Sequence, residues 1–271
     1  AQEQQITLGT LLEGVWAALL GRYSGENDVV FGVTRACRPA DLADADSIVG
    51  LFINTLPVRV KIGADEACAK WLKNLRAAQK KIREFEHTPL VEIQKCSGVP
   101  AGKHLFESIL LFDYSSLDAA MKSLGGPWAA RDFELIDQTN YPITVYGFAE
   151  KEFLLRIEYD RARLEDDVAG RILEHLKTAL ESMPANANKP AAALPILPPA
   201  ERRRLLVEWN DTAADYSRDS CIHQLFEDQA NKTPNDVALV YKETSWTYDE
   251  LNQRASSVAA KLRALGAGPD V

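Results

Sequence analysis

A chain of 271 residues with 31 Lys plus Arg against 39 Asp plus Glu carries a formal charge of −8, which argues against the basic surface a nucleic-acid binder needs. At 46% apolar and 26% charged it can bury a substantial core, and no apolar run reaches bilayer-spanning length. The four cysteines, Cys37, Cys68, Cys96 and Cys221, follow no CxxC spacing; they give neither a zinc signature nor a disulfide framework and fit a reducing cytoplasm.

The opening AQEQQITLGT has neither the basic nor the apolar region of a signal peptide. Both ends look cut, so the chain reads as a piece of a longer polypeptide. Apolar residues at Leu8, Leu11, Leu12, Val15, Trp16, Leu19 and Leu20 predict an amphipathic helix over Thr7–Tyr23, with Thr7 as N-cap and Gly25 just past its end. A strand follows over Val29–Thr34, then the polar stretch RACRPADLADADS. Its acidic residues lack the glycine and distal Glu of a calcium loop and read as solvated.

The run IVGLFINTLPVRV, residues 48–60, is apolar yet interrupted by Gly50, Asn54, Thr55 and Pro57. Its second half alternates, with Leu56, Val58, Val60 and Ile62 on one face, and Pro57 marks an edge strand or a strand start. A second helix is predicted from Asp65 to Phe85, capped by Asp65, with Cys68, Trp71, Leu72, Leu75, Ile82 and Phe85 facing inward. Further on come a strand over Ser108–Tyr114, a loop through Gly125, Gly126 and Pro127, and two strands, Thr144–Phe148 and Phe153–Tyr159, flanking the turn AEKE. A helix over Asp166–Met183 closes an α+β unit with a mixed sheet, residues 1–183.

The stretch PANANKPAAALPILPP holds five of the thirteen prolines and reads as an extended linker, partly pinned to a surface by Leu194, Ile196 and Leu197. With the short helix Ala200–Trp209 it makes a segment spanning 184–210. The rest, 211–271, offers a helix over Ile222–Asn231, a hairpin of Val237–Tyr241 with Ser245–Thr247, and a final helix opened by TYDEL. Thr247 and Glu250 form a capping box there, and Leu251, Ala255, Val258, Ala259, Leu262 and Leu265 form an inner stripe. This last part is too short for a complete domain.

The sequence carries none of the common catalytic motifs. His87, His104, His175 and His223 fall in no HExxH, HxH or HHxxxDG pattern, and a lone histidine here reads as a surface or capping residue. There is no GxSxG elbow and no phosphate-binding P-loop, so the residues point to no catalytic centre and no metal site.

In their order, TLGTLLEGVWAALLGRYSGENDVVFGVTRACRP, IVGLFINTLPVRV, HTPLVEIQ, LFESILLFDYSS and TNYPITVYGF resemble the C-terminal half of a condensation domain from a nonribosomal peptide synthetase. The family's IGxFxNTxxxR motif is matched at Ile48/Val49-Gly50, Phe52, Asn54, Thr55 and Arg59; its HQxxPxE motif is met loosely by His87, Pro89 and Glu92. Residues 221–271, with WTYDEL at 246–251, resemble the start of an adenylation (AMP-binding) domain and its LTYxEL motif.

The resemblance implies a chloramphenicol-acetyltransferase-like C-terminal lobe that supplies one wall of a tunnel. There an amine on one carrier's phosphopantetheine arm attacks the thioester on another's. Under it Gly50, Phe52 and Asn54 are expected to line the channel, with Asn140 and Tyr141 of this chain's TNYPI as a further candidate. Gly50 would allow close backbone approach, and Asn54 would present amide donors and acceptors. The bland alternative makes Gly50 a bulge and has Asn54 cap a turn and bond its own backbone. Arg59 is expected to be an ion-pair partner.

On this reading the catalytic HHxxxDG histidine lies upstream of Ala1, and the fragment binds no cofactor; ATP and Mg belong to the remainder of the adenylation domain. The partners are carrier domains, the missing N-terminal lobe and that remainder, in the cytoplasm, with no nucleic acid and no membrane. An exposed lobe face follows from the missing half. The competing expectation is a non-catalytic platform that docks carriers and orients neighbouring domains.

Overall fold

The structure is a computed structural model that describes residues 4–38, 42, 44–45, 47–100, 102–113, 117–133, 138–149, 152–215 and 220–268. The chain divides into two units, Ala1–Trp209 and Asn210–Val271. The acidic loop DLADADS, the end of the LLFDYSS segment and the centre of the AEKE turn fall wholly or partly outside the described residues.

In the first unit, α1 (Leu8–Ser24) starts where the Thr7 side chain accepts the Thr10 N–H at 3.1 Å and ends at Gly25, whose φ of 74° is the left-handed region that favours glycine. Strands β1 (Asp28–Arg35), β2 (Asn54–Lys61), β3 (Ser108–Asp113), β4 (Ile143–Ala149) and β5 (Phe153–Tyr159) form one sheet in the order β2-β1-β3-β4-β5. The β1–β3 and β3–β4 pairs are parallel, and the two outer pairs are antiparallel. The sheet is therefore mixed, as the α+β reading expects, and Pro57 lies on the edge strand β2, where a missing N–H does no harm.

Helices α1, α2 (Cys68–Ile82) and α5 (Asp166–Ser182) close one face of the sheet around Trp16, Phe31, Val58, Leu110, Val145 and Leu176. On the other side the Phe106 ring lies over Gly32 and stacks on Tyr141 at 5.3 Å. A Cβ on Gly32 would overlap that ring and stand 2.8 Å from Ile109 Cγ2. Gly32→Ala is accordingly expected to destabilise the unit by about 1–3 kcal/mol through overpacking, seen as a lower urea midpoint at unchanged m-value.

Helix α2 departs from the sequence reading at both ends. Asp65 does not cap it; the N-cap is Ala67, with no side-chain bond. The freed amides of Cys68 and Ala69 instead donate to the carbonyls of Lys189 (2.8 Å) and Ala187 (2.9 Å), while Ala191 N–H donates to Glu66 O at 2.9 Å. The proline-rich stretch thus straps across the start of α2 and buries Ala191 and Leu194 in the core. At the far end the helix gives way to a 3-10 turn over Arg83–Phe85, and Phe85 is exposed rather than inward.

Two helices went unpredicted: α3 (Leu90–Cys96) and α4 (Leu117–Ser123). Beyond the strap, α6 (Pro199–Leu206) runs into a 3-10 turn at Glu208–Asn210. Arg59 meets the carboxylate of Asp28 in a two-point contact of 2.8 and 2.7 Å, the expected ion pair.

The second unit holds α7 (Ile222–Lys232), the hairpin β6 (Val237–Tyr241) and β7 (Thr244–Thr247), and α8 (Tyr248–Ala264). The capping box forms as expected: Thr247 accepts from Glu250 N–H at 3.2 Å and Glu250 accepts from Thr247 N–H at 3.0 Å. The stripe of α8 is not inward, because Val258, Leu262 and Leu265 are exposed; four short elements supply no layer to cover it among the described residues. No helix among those residues is long and apolar enough to cross a membrane.

Candidate functional site

Asn54 opens β2 opposite Arg35, at the end where β1 stops. Its Nδ2 donates to the carbonyls of Glu86 (2.8 Å) and Thr88 (2.9 Å). Two carbonyl acceptors require the NH2 group on that side, which fixes the orientation of the amide. Asn54 therefore does not bond its own backbone; it ties the turn between α2 and α3 to the sheet. Both donors are spent in that tie, and the side-chain carbonyl keeps acceptor capacity.

Phe52, half-buried, lies under the guanidinium of Arg38 at 4.5 Å. Arg38 Nη1 also donates to the carbonyls of Ala45 and Ile48, so one arginine gathers the segment leading into β2. Gly50 is exposed, and a Cβ there would meet only Phe52 Cε2 at 3.8 Å, an ordinary contact. Among the described residues nothing obliges that position to be glycine. Val49 and Leu51 beside it are 100% and 89% exposed.

Tyr141 sits elsewhere. It precedes β4 by two residues and so lies at the N-terminal end of the parallel strands, whereas Asn54 faces their C-terminal end. Gly50, Phe52 and Asn54 follow one another into the start of β2, with Gly50 beside the Phe52 ring, and Tyr141 lies at the opposite end of the sheet. There, with the exposed Asn140, it lines a cavity of about 650 Å³ with Thr144, Glu158 and Arg161, and burial pushes its phenol pKa up.

A polar network missed by the sequence reading lies between α1 and α2. Thr10 donates to Gln79 Oε1 at 2.7 Å, Gln79 Nε2 donates to Glu13 at 2.5 Å, and Arg35 reaches Glu13 at 3.4 Å. Arg76 donates to Thr7 Oγ1 at 3.0 Å. These groups border a cavity of about 760 Å³ that also meets Val33, Cys37 and Phe112. The only sequence signal was a carboxylate set among the apolar positions of α1.

Burial raises the pKa of Glu13 above its ordinary 4.5, and Arg35, Gln79 and Arg76 oppose the shift without cancelling it. A carboxyl raised on folding binds its proton more tightly in the folded state. Stability is then full below the ordinary value and falls as pH rises through the folded one. Glu13→Gln is expected to flatten the decline in unfolding free energy as pH rises above about 4.5; denaturant titrations at a series of pH values above that point check it.

His175 is no surface residue. It is buried between Tyr23 Oη (2.6 Å to Nδ1) and Glu201 Oε2 (2.7 Å to Nε2), joining α1, α5 and α6. Burial, then the Glu201 charge, pushes the Tyr23 pKa up to about 12. The phenol therefore stays un-ionised, and the imidazole bridges it to the Glu201 carboxylate. The arrangement holds α6 in place.

The condensation domain family model matches residues 1–206 of this chain, and the AMP-binding enzyme model matches residues 226–271. A linear gramicidin synthase of Brevibacillus parabrevis has a polypeptide 43% identical over 272 residues, covering 100% of this chain and 5% of that protein. Tyrocidine synthase 2 of the same organism is 32% identical, covering 99% of this chain and 8% of that protein. The chain thus spans a small fraction of the relatives it matches.

Among solved structures, a holo four-domain nonribosomal peptide synthetase bound to AMP and glycine aligns with a TM-score of 0.72 at 19% identity, over 98% of this chain and 21% of that one. The first condensation domain of the CDA synthetase aligns with a TM-score of 0.54 at 14% identity, over 73% of this chain and 44% of that one. These likenesses show the fold, that of condensation domains, as the chloramphenicol-acetyltransferase-like reading expects. The chain belongs to the condensation-domain family of nonribosomal peptide synthetases and carries at its C-terminal end the beginning of a match to the AMP-binding enzymes.

Proposed function

We propose that residues 1–183 form the C-terminal lobe of a condensation domain, that 184–210 form the linker, and that 211–271 begin an adenylation domain. The parent joins an aminoacyl or peptidyl donor to an aminoacyl acceptor, both held as phosphopantetheine thioesters on carrier domains. The acceptor amine attacks the donor thioester carbonyl, and the thiolate leaves. This lobe supplies one wall of the channel, through Gly50, Phe52 and Asn54 at one end of the sheet and Tyr141 at the other. The catalytic histidine belongs to the companion lobe; ATP and Mg belong to the rest of the adenylation domain. The synthetase works in the cytoplasm.

The succession of the two family matches, 1–206 then 226–271, carries this reading, since it is the order of one synthetase module. Gly50 gives a direct test of the channel, because no contact among the described residues requires a glycine there. In the parent synthetase, Gly50→Val is expected to lower the condensation rate while leaving thermal stability unchanged. An unchanged rate at unchanged stability removes Gly50 from the channel wall.

One feature favours the platform reading in addition. The strap over 187–194 is built into the core and the Tyr23–His175–Glu201 contact fastens α6. The linker is therefore structurally part of the lobe, as a device that sets domain geometry requires.

A further inference from the structure

The cavity of about 760 Å³ beside the Glu13 network has a charge balance opposite to that of the whole chain. Its lining includes Arg35, Arg38, Arg76, Lys80 and Arg83, opposed among the described residues by Glu13 and Glu86, in a chain whose net charge is −8. Arg76, Lys80 and Arg83 recur at four and three residues along α2 and the turn that follows, so they share one face.

The partners of these cations are informative. Arg38 is engaged by the Ala45 and Ile48 carbonyls and the Phe52 ring. Among the described residues, Arg76 bonds only to the hydroxyls of Thr7 and Thr10. Lys80 and Arg83 have no ion-pair partner among those residues, and the Nε of Arg35 is buried without a hydrogen-bond partner there. Of the two carboxylates, Glu13 is already held by Gln79 and Arg35, and burial favours its neutral form.

Five cations border one concavity, Arg35, Arg38 and Arg76 half-buried and Lys80 and Arg83 exposed, and such a one-sign cleft attracts an anion. Guanidinium forks suit a tetrahedral oxyanion, and the volume lies within the range of small-molecule sites. Val33, Cys37 and Phe112 supply an apolar wall beside the cations.

The geometry points to a binding site for a phosphate monoester, its phosphoryl group held by Arg76, Lys80 and Arg83 with Arg35, and its organic part against Val33 and Phe112. The assignment rests on the cavity and stands whether or not the lobe belongs to a working condensation domain.

Isothermal titration of the full chain with inorganic phosphate and, separately, with phenyl phosphate tests it. Saturable one-site binding is expected for both, tighter for phenyl phosphate because its ring meets the apolar wall. In Lys80→Gln/Arg83→Gln the affinity for both falls at least about tenfold, with the circular dichroism spectrum unchanged. Replacing the remote Lys103 and Lys177 by Gln leaves it unaltered. No saturable binding, or an equal loss in the remote double variant, overturns the site; equal affinity for the two probes overturns the monoester assignment.

Discussion

Trp16→Ala is expected to lower the stability of the first unit by about 3–5 kcal/mol, a large share of the ~5–15 kcal/mol that holds a typical domain folded. Trp16 is 1% exposed, lies within the cluster formed by α1, α2, α5 and the sheet, and donates from Nε1 to Ser108 Oγ at 3.2 Å. Truncation removes the largest fully buried side chain of the unit and strands a buried hydroxyl at the start of β3. Trp16→Phe keeps most of the volume and loses the hydrogen bond, so its cost is expected to be less than half as great. Trp209→Ala serves as the control: that ring is exposed, and the change is expected to stay within about 0.5 kcal/mol. Urea unfolding of the three variants checks the ranking, and a Trp16→Ala chain as stable as Trp209→Ala contradicts the assigned core.

Asn54→Asp is expected to cost about 2–3 kcal/mol, more than Asn54→Ala, although aspartate is nearly the same size. The amide donates to Glu86 O and Thr88 O together. A carboxylate in its place sets an acceptor and a negative charge against two carbonyl oxygens. Alanine merely leaves those carbonyls to find water. The damage should be local as well as global: amide hydrogen exchange should quicken across 83–96, which holds the turn and α3, before α1 is affected. Equal costs for Asp and Ala contradict the placing of this side chain against the two carbonyls. In the parent synthetase, loss of condensation by Asn54→Ala with the 83–96 segment still protected assigns the side chain a role in the channel beyond this tie.

Local chemistry accounts for what the sequence made legible. The helix over Thr7–Tyr23, its threonine cap and its glycine stop are set within a few residues and appear as expected. The edge position of β2 follows from Pro57, and the capping box at Thr247 from a three-residue spacing. Hidden features depend on contacts distant in sequence. The first amides of α2 are met by carbonyls of Ala187 and Lys189, so its Asp65 looked like a cap that the fold does not use. Helix α3 has only seven residues and no side-chain cap, too few to carry a periodic signal.

The candidate site divides in the same way. The Gly50–Phe52–Asn54 grouping is contiguous in sequence and was visible through its interrupted apolar run. The partners of Asn54 lie 32 and 34 residues away, and those of Thr10 and Glu13 on α2 lie 69 and 66 residues away. His175 looked isolated because Tyr23 is 152 residues before it.

Amide formation between donor-loaded and acceptor-loaded carrier domains, measured first with this chain alone and then with the full condensation domain of its parent, separates one wall of a channel from a complete catalytic site. No peptide product is expected from the chain alone, and rapid formation is expected from the full domain. Turnover by the chain alone would contradict the claim that it is one wall of a channel whose catalytic histidine stands on the companion lobe.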